Sequence, residues 1–71
     1  MFNKCIPGTI IIFNDGKAED TYLVLEQEKL FLKLKVLHST DKFVHKGELS
    51  TYNKIIIETW SGINLATFLF P

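Results

Sequence analysis

Arginine is absent from this chain, whose eight basic residues are all lysine. Arginine makes planar two-point contacts to phosphate, carboxylate and guanine, so its absence removes the commonest tool of specific phosphate or base recognition. Cysteine is nearly absent as well. Cys5 stands alone, which excludes an intramolecular disulfide and suits a reducing compartment. Long apolar runs are missing: the longest uncharged stretch, Thr59 to Pro71, is shorter than the roughly 20 residues of a spanning helix. The opening "MFNKCIPGTIIIF" is broken by Pro7 and Gly8 and lacks a small-residue cleavage site, so no secretory signal is read there. The expectation is a cytoplasmic protein with no membrane partner.

Excess charge is the next absence, because the formal net charge is zero. A neutral chain sets up no field to gather polyanions and little repulsion between copies, which favours a protein partner and a homo-oligomer over a nucleic acid. What is present is a 71-residue chain that is 46% hydrophobic, enough to fold but in one small domain spanning residues 1–71. Such a domain withdraws only about 60% of its unfolded surface from water, so a disulfide, a metal or a partner subunit usually reinforces it. The abundance of isoleucine, lysine, phenylalanine and asparagine suits an AT-rich coding source, as in a bacterium or one of its phages.

The stretch "PGTIIIF" places a turn before a β-branched and aromatic run, read as a strand from Thr9 to Phe13. "NDGKAED" follows as a polar loop. In "TYLVLEQ", Leu23 and Leu25 alternate with Tyr22, Val24 and Glu26. In "KLFLKLKVLH", Leu30, Leu32, Leu34 and Val36 share one face and Phe31, Lys33, Lys35 and Leu37 the other. Leu30, Leu34 and Leu37 also fit a helical period, but Phe31, Leu32 and Val36 would then ring the helix, so strand is preferred. Residues 21 to 38 form a hairpin turning near Gln27 to Lys29. Beyond it the chain is polar to Asn53, with a short strand read at Lys42 to His45. "KIIIETW" reads as another strand, Gly62 as a turn, and "INLATFLFP" as a strand or short helix.

The expected fold is all-β: a small five-stranded SH3-like or partly open barrel. From Pro7 to Trp60 the loop-and-strand pattern "PGTIIIFNDGKAEDTYLVLE" resembles that of the SH3-like barrels, which implies a small binding module. The ALYDY-type signature of true SH3 domains is missing, so polyproline binding is not implied, and the glycine pattern of KOW modules is not matched.

Four groupings of side chains bear on chemistry. His38, Asp41 and His45 supply too few ligands for zinc and read as solvated loop residues, so no metal and no cofactor is expected. Cys5 could be a nucleophile beside a histidine, yet it lacks a cysteine-enzyme signature and reads as a small buried hydrophobe; no enzyme is expected. Asp15, Glu19 and Asp20, like Glu26 and Glu28, read as solvated carboxylates, the first three able to orient a basic partner. Lys33, Lys35, Lys42 and Phe43 give a basic-aromatic cluster of the kind used on single-stranded nucleic acid, opposed by nearby acids.

The strongest signal is surplus apolar surface. Tyr22, Phe31, Leu37, Trp60, Phe68 and Phe70 are the expected protein interface, with Phe31 and Leu37 touching either the chain's own C-terminal tail or another copy. The function expected is a non-catalytic protein-interaction module, in the style of a phage or bacterial accessory protein modulating a host or defence factor. The alternatives are a single-strand nucleic-acid binder and a small-ligand (nucleotide) site between subunits.

Overall fold

Gly8 takes a positive φ of 96° and turns the chain so that the isoleucine run enters β1 (Ile10–Asn14). The computed structural model describes residues 5–71; residues 1–4, part of the stretch weighed for a secretory signal, lie outside the described residues. Next come β2 (Glu19–Gln27), β3 (Phe31–Ser39), β4 (Leu49–Asn53), α1 (Lys54–Gly62) and β5 (Ala66–Leu69). All pairings are antiparallel, and the single five-stranded sheet has the order β4-β3-β2-β1-β5. The first four strands form a meander, and α1 carries the chain to the far side of β1. The domain is thus mostly β, and its sheet stays open, as in a partly open barrel, because β4 and β5 are its two edges.

Alternation decides which face is core. Leu32, Leu34 and Val36 of β3, Tyr22 and Val24 of β2, Ile11 of β1 and Ile57 of α1 are buried. Phe13, Tyr52, Trp60, Ala66 and Phe68 pack against them, as does Val44 from the β3–β4 loop. The β2–β3 pairing shifts register twice, leaving Leu37 and Leu25 as the extra residues. Such bulges increase twist and bend a sheet toward a barrel.

"KIIIETW" is a helix, which corrects the strand expectation. Asn53 caps it, its side-chain oxygen accepting the Ile55 N–H at 2.8 Å. Lys54, Ile57 and Trp60, three residues apart, turn one stripe to the sheet. At the other end Asn64, at φ 58°, closes the helix: its N–H bonds to the Ser61 carbonyl and that of Leu65 to Trp60. Those two bonds make a Schellman motif with asparagine in the left-handed position. A helix here overrides β-branched propensity because capping and burial of Ile57 outweigh a few tenths of a kcal/mol per residue.

Two more expectations change. The strand read at Lys42 to His45 is a run of turns, and the strand after the hairpin is instead β4, hidden in the polar "LSTYN". The C-terminal segment is a strand that pairs with β1, and its Phe68 packs into this chain's own core. Pro71 lies 3.7 Å from where a Cβ on Gly8 would sit, so the chain end is held against the first turn.

Candidate interaction surface

The outward residues of the sheet form rows fixed by the ladder register. One row runs Leu69, Ile10, Leu23, Lys35, Leu49 across all five strands. Leu69 and Leu49 at its ends are 53% and 60% exposed, while Ile10 and Leu23 between them are half-buried. Half-buried Ile12, Leu25 and Leu37 flank the row. The parts of the chain that leave the sheet, α1 and the loop bearing Val44, pack toward the inner face. Among the described residues, neither α1 nor this loop therefore covers the row, in which Lys35 is the one charge.

The charges on this face are unequal in their engagement. Lys33 sits 3.7 Å from Glu26, whereas Lys35, between Leu23 and Leu49 in the row, makes no ion pair among the described residues. The face accordingly presents apolar side chains with Lys33 beside Glu26 and Lys35 outside that ion pair.

The residues expected to form one interface fall on both sides of the sheet. Phe31 (40% exposed) and Leu37 lie on the outer face. Tyr22, 4% exposed, is in the core, which corrects its place in the expected interface, and Val24 on the same face is buried with it. Trp60 and Phe68 pack on the inner side, and Phe70 stacks on Phe68 at 6.1 Å with rings 9° from parallel. Period two identifies two faces but does not name the inner one, and on β2 both sets are apolar. Leu23, Leu25, Ile10, Ile12 and Leu69 fall outside the expected set for that reason, and Leu49 because β4 carries no strand signal in its sequence. The signal that could have found them was the complement of the chosen set, Leu23 and Leu25 between Tyr22, Val24 and Glu26.

Trp60 is the centre of an aromatic cluster. Its ring lies 4.6 Å from Phe13, 5.4 Å from Tyr52 and 6.4 Å from Tyr22. The Tyr22 hydroxyl donates to Asp20 at 3.1 Å and sits 3.4 Å from that of Tyr52. Burial, with Tyr52 and the Asp20 charge beside it, pushes the Tyr22 phenol far above its ordinary range. Asp20 also accepts from the Ser39 hydroxyl, so it serves the fold's interior rather than the loop surface. Asp15 is committed locally, accepting N–H bonds from Ala18 at 2.8 Å and Lys17 at 2.9 Å, which hold its carboxyl below the usual range. Glu19 remains exposed, accepting from Asn14 at 3.3 Å.

Lys42 and Phe43 occupy the β3–β4 loop, with the Lys42 ammonium 5.3 Å from the Phe43 ring centroid. Lys33 and Lys35 belong to the strand, so the four are divided between loop and sheet. Asp41 accepts the Phe43 N–H at 2.9 Å, and among the described residues no three histidine, cysteine, aspartate or glutamate side chains converge. A depression of about 250 Å³ lies at the start of α1, lined by Lys29, Leu30, Asn53, Lys54, Ile55 and Glu58.

No protein-family model, curated protein or solved structure matches the chain.

Cys5 is fully buried, and burial pushes its thiol up to about 11, opposed by the Lys54 ammonium. An unfolded thiol gives up its proton near pH 9, whereas the folded one keeps it until about pH 11. Stability from this site is therefore complete below pH 9 and is lost as the pH rises through 11. In urea titrations between those limits, the wild type should lose up to roughly 3 kcal/mol more than Cys5→Ala. Equal slopes would mean that the thiol is not sealed in the core.

Proposed function

We propose that the chain is a non-catalytic protein-interaction module that binds through the outer face of its sheet. The observation that carries this reading is the row Leu69, Ile10, Leu23, Lys35, Leu49, which crosses the whole sheet with exposed leucines at both ends and half-buried Ile10 and Leu23 between. Contiguous apolar surface with a polar margin is characteristic of protein interfaces. The partner that fits is a protein surface with apolar side chains around a carboxylate, which would meet Lys35. Self-association belongs to the same reading, since a neutral chain does not repel its copies.

The depression at the start of α1 falls below the usual 300 Å³ or more of a small-molecule site, so a binding surface accounts for more of the molecule than an enclosed reaction site. Single-strand binding has less support, because Glu26 faces Lys33 and the Phe43 ring is engaged by Lys42. Among the described residues, no helix is long and apolar enough to cross a membrane. With one buried thiol, the proposal extends to work in the reducing cytosol, as a bacterial or phage accessory protein acting on a host or defence factor.

A photo-crosslinking amino acid placed at Leu23 tests this in cells, with one at the exposed Ile63 beyond α1 as control. Defined protein adducts from position 23 that are absent from position 63 are expected. Adducts to nucleic acid alone, or none that differ from the control, would overturn the reading.

A further inference from the structure

The far side of β4 is a strand edge of unusual composition. In an antiparallel ladder, residues alternate in turning both backbone groups toward the neighbouring strand. The Val36 N–H donates to the Glu48 carbonyl at 2.9 Å and the Lys54 N–H to the Leu30 carbonyl at 2.8 Å, which fixes the phase. Ser50 and Tyr52 therefore bond to β3. Leu49 and Thr51 direct both backbone groups away from it, and Asn53 its N–H.

Edges of this kind are normally guarded by lysine, proline or a bulge, because they template pairing with any other strand. The edge strand "LSTYN" has no charge and no proline, and it runs against β3 without a register shift. Pairing about a two-fold axis sets a strand against itself, so a charge near its centre would meet its own copy. β4 brings no such conflict. A register centred on Thr51 places Thr51 opposite Thr51 and Leu49 opposite Asn53, with about four backbone hydrogen bonds. Threonine pairs are among the favourable cross-strand neighbours.

We propose that two copies pair β4 to β4, antiparallel about a two-fold axis at Thr51, and join their sheets edge to edge. The axis is perpendicular to the sheet, so both outer faces lie on the same side and form one surface, with the exposed Leu49 of each copy abutting Asn53 of the other. The inference rests on the reading of the chain as a self-associating interaction module. It names the partner as a second copy and the contact as β4.

Light scattering behind size-exclusion chromatography, over a hundredfold dilution, decides it. The wild type should show twice the 8.2 kDa chain mass at the upper concentrations. Thr51→Pro removes an N–H that faces away from β3, a change edge strands tolerate, and should run as a folded 8.2 kDa monomer. Should Thr51→Pro fail to fold, Thr51→Lys decides instead by placing two ammonium groups together at the axis. A wild type of single-chain mass throughout overturns the pairing. So does a dimer that survives Thr51→Lys, and if Leu23→Glu then splits it, the copies meet face to face. Where the pairing is overturned in this way, crosslinks from position 23 to a different protein still leave the interaction module standing.

Discussion

Leu34→Ala leaves a large fraction of the chain unfolded at room temperature. Leu34 is fully buried on β3, with β2 on one side and β4 on the other. Truncating such a leucine costs roughly 3 to 5 kcal/mol, the lost burial plus the cavity left behind. A core in a domain of this size rarely supplies more than about 3 to 5 kcal/mol in total, so the two nearly cancel. The neighbouring Lys35, on the solvent side of the same strand, is the control. Lys35→Ala should move stability by about half a kcal/mol or less. Trp60, the only tryptophan, packs on Phe13 and Tyr52, so its fluorescence reports the urea transition in both variants. Similar midpoints for the two would mean that the faces of β3 have been taken the wrong way round.

Leu23→Glu has the opposite profile. It puts a carboxylate at the middle of the outer row, where the native side chain is half-buried among Ile10, Lys35 and the flanking leucines. The folded chain can hydrate that carboxylate, and Lys35 stands opposite it, so stability should fall by no more than about 1 kcal/mol. A bound partner has no such escape. Burying an ionised group against apolar surface costs several kcal/mol, so affinity for the protein captured from position 23 should drop at least about 100-fold. Biolayer interferometry of the purified variant against that protein gives the ratio. An unchanged affinity would place the contact elsewhere on the molecule.

These two variants expose what the sequence disclosed and what it withheld. The first strand and the central hairpin were legible because β-branched residues, period-two alternation and the Asn-Asp-Gly loop agree with each other. The helix was not, since three consecutive isoleucines carry the same local signal as the strand at Ile10 to Ile12. Only Asn53 before it and Asn64 after it mark the difference, and both are weak marks without a fold around them. The β4 strand was hidden by polarity, as edge strands with one solvated side often are.

The expected interface is mainly aromatic, whereas the outer face of the sheet is largely aliphatic. Trp60, Tyr22 and Phe68 are large enough to close the core of a chain this short, and the fold uses them there. The outer row holds leucine and isoleucine, which single-sequence reading credits to the core by default. The tail, expected to cover Phe31 and Leu37 or to dock on another copy, instead completes the sheet beside β1. Two strands separate it from β3, so "KLFLKLKVLH" keeps its second face open.

Hydroxyl-radical footprinting of the leucines, on dilute purified protein and again within cells, addresses that open face most directly. Leu23, Leu49 and Leu69 should be oxidised readily in the dilute protein and protected in the cell, while Leu32 and Leu34 stay protected in both. Outer leucines already protected in the dilute protein would mean that this chain covers its own face, and equal oxidation in both settings would mean that nothing binds there.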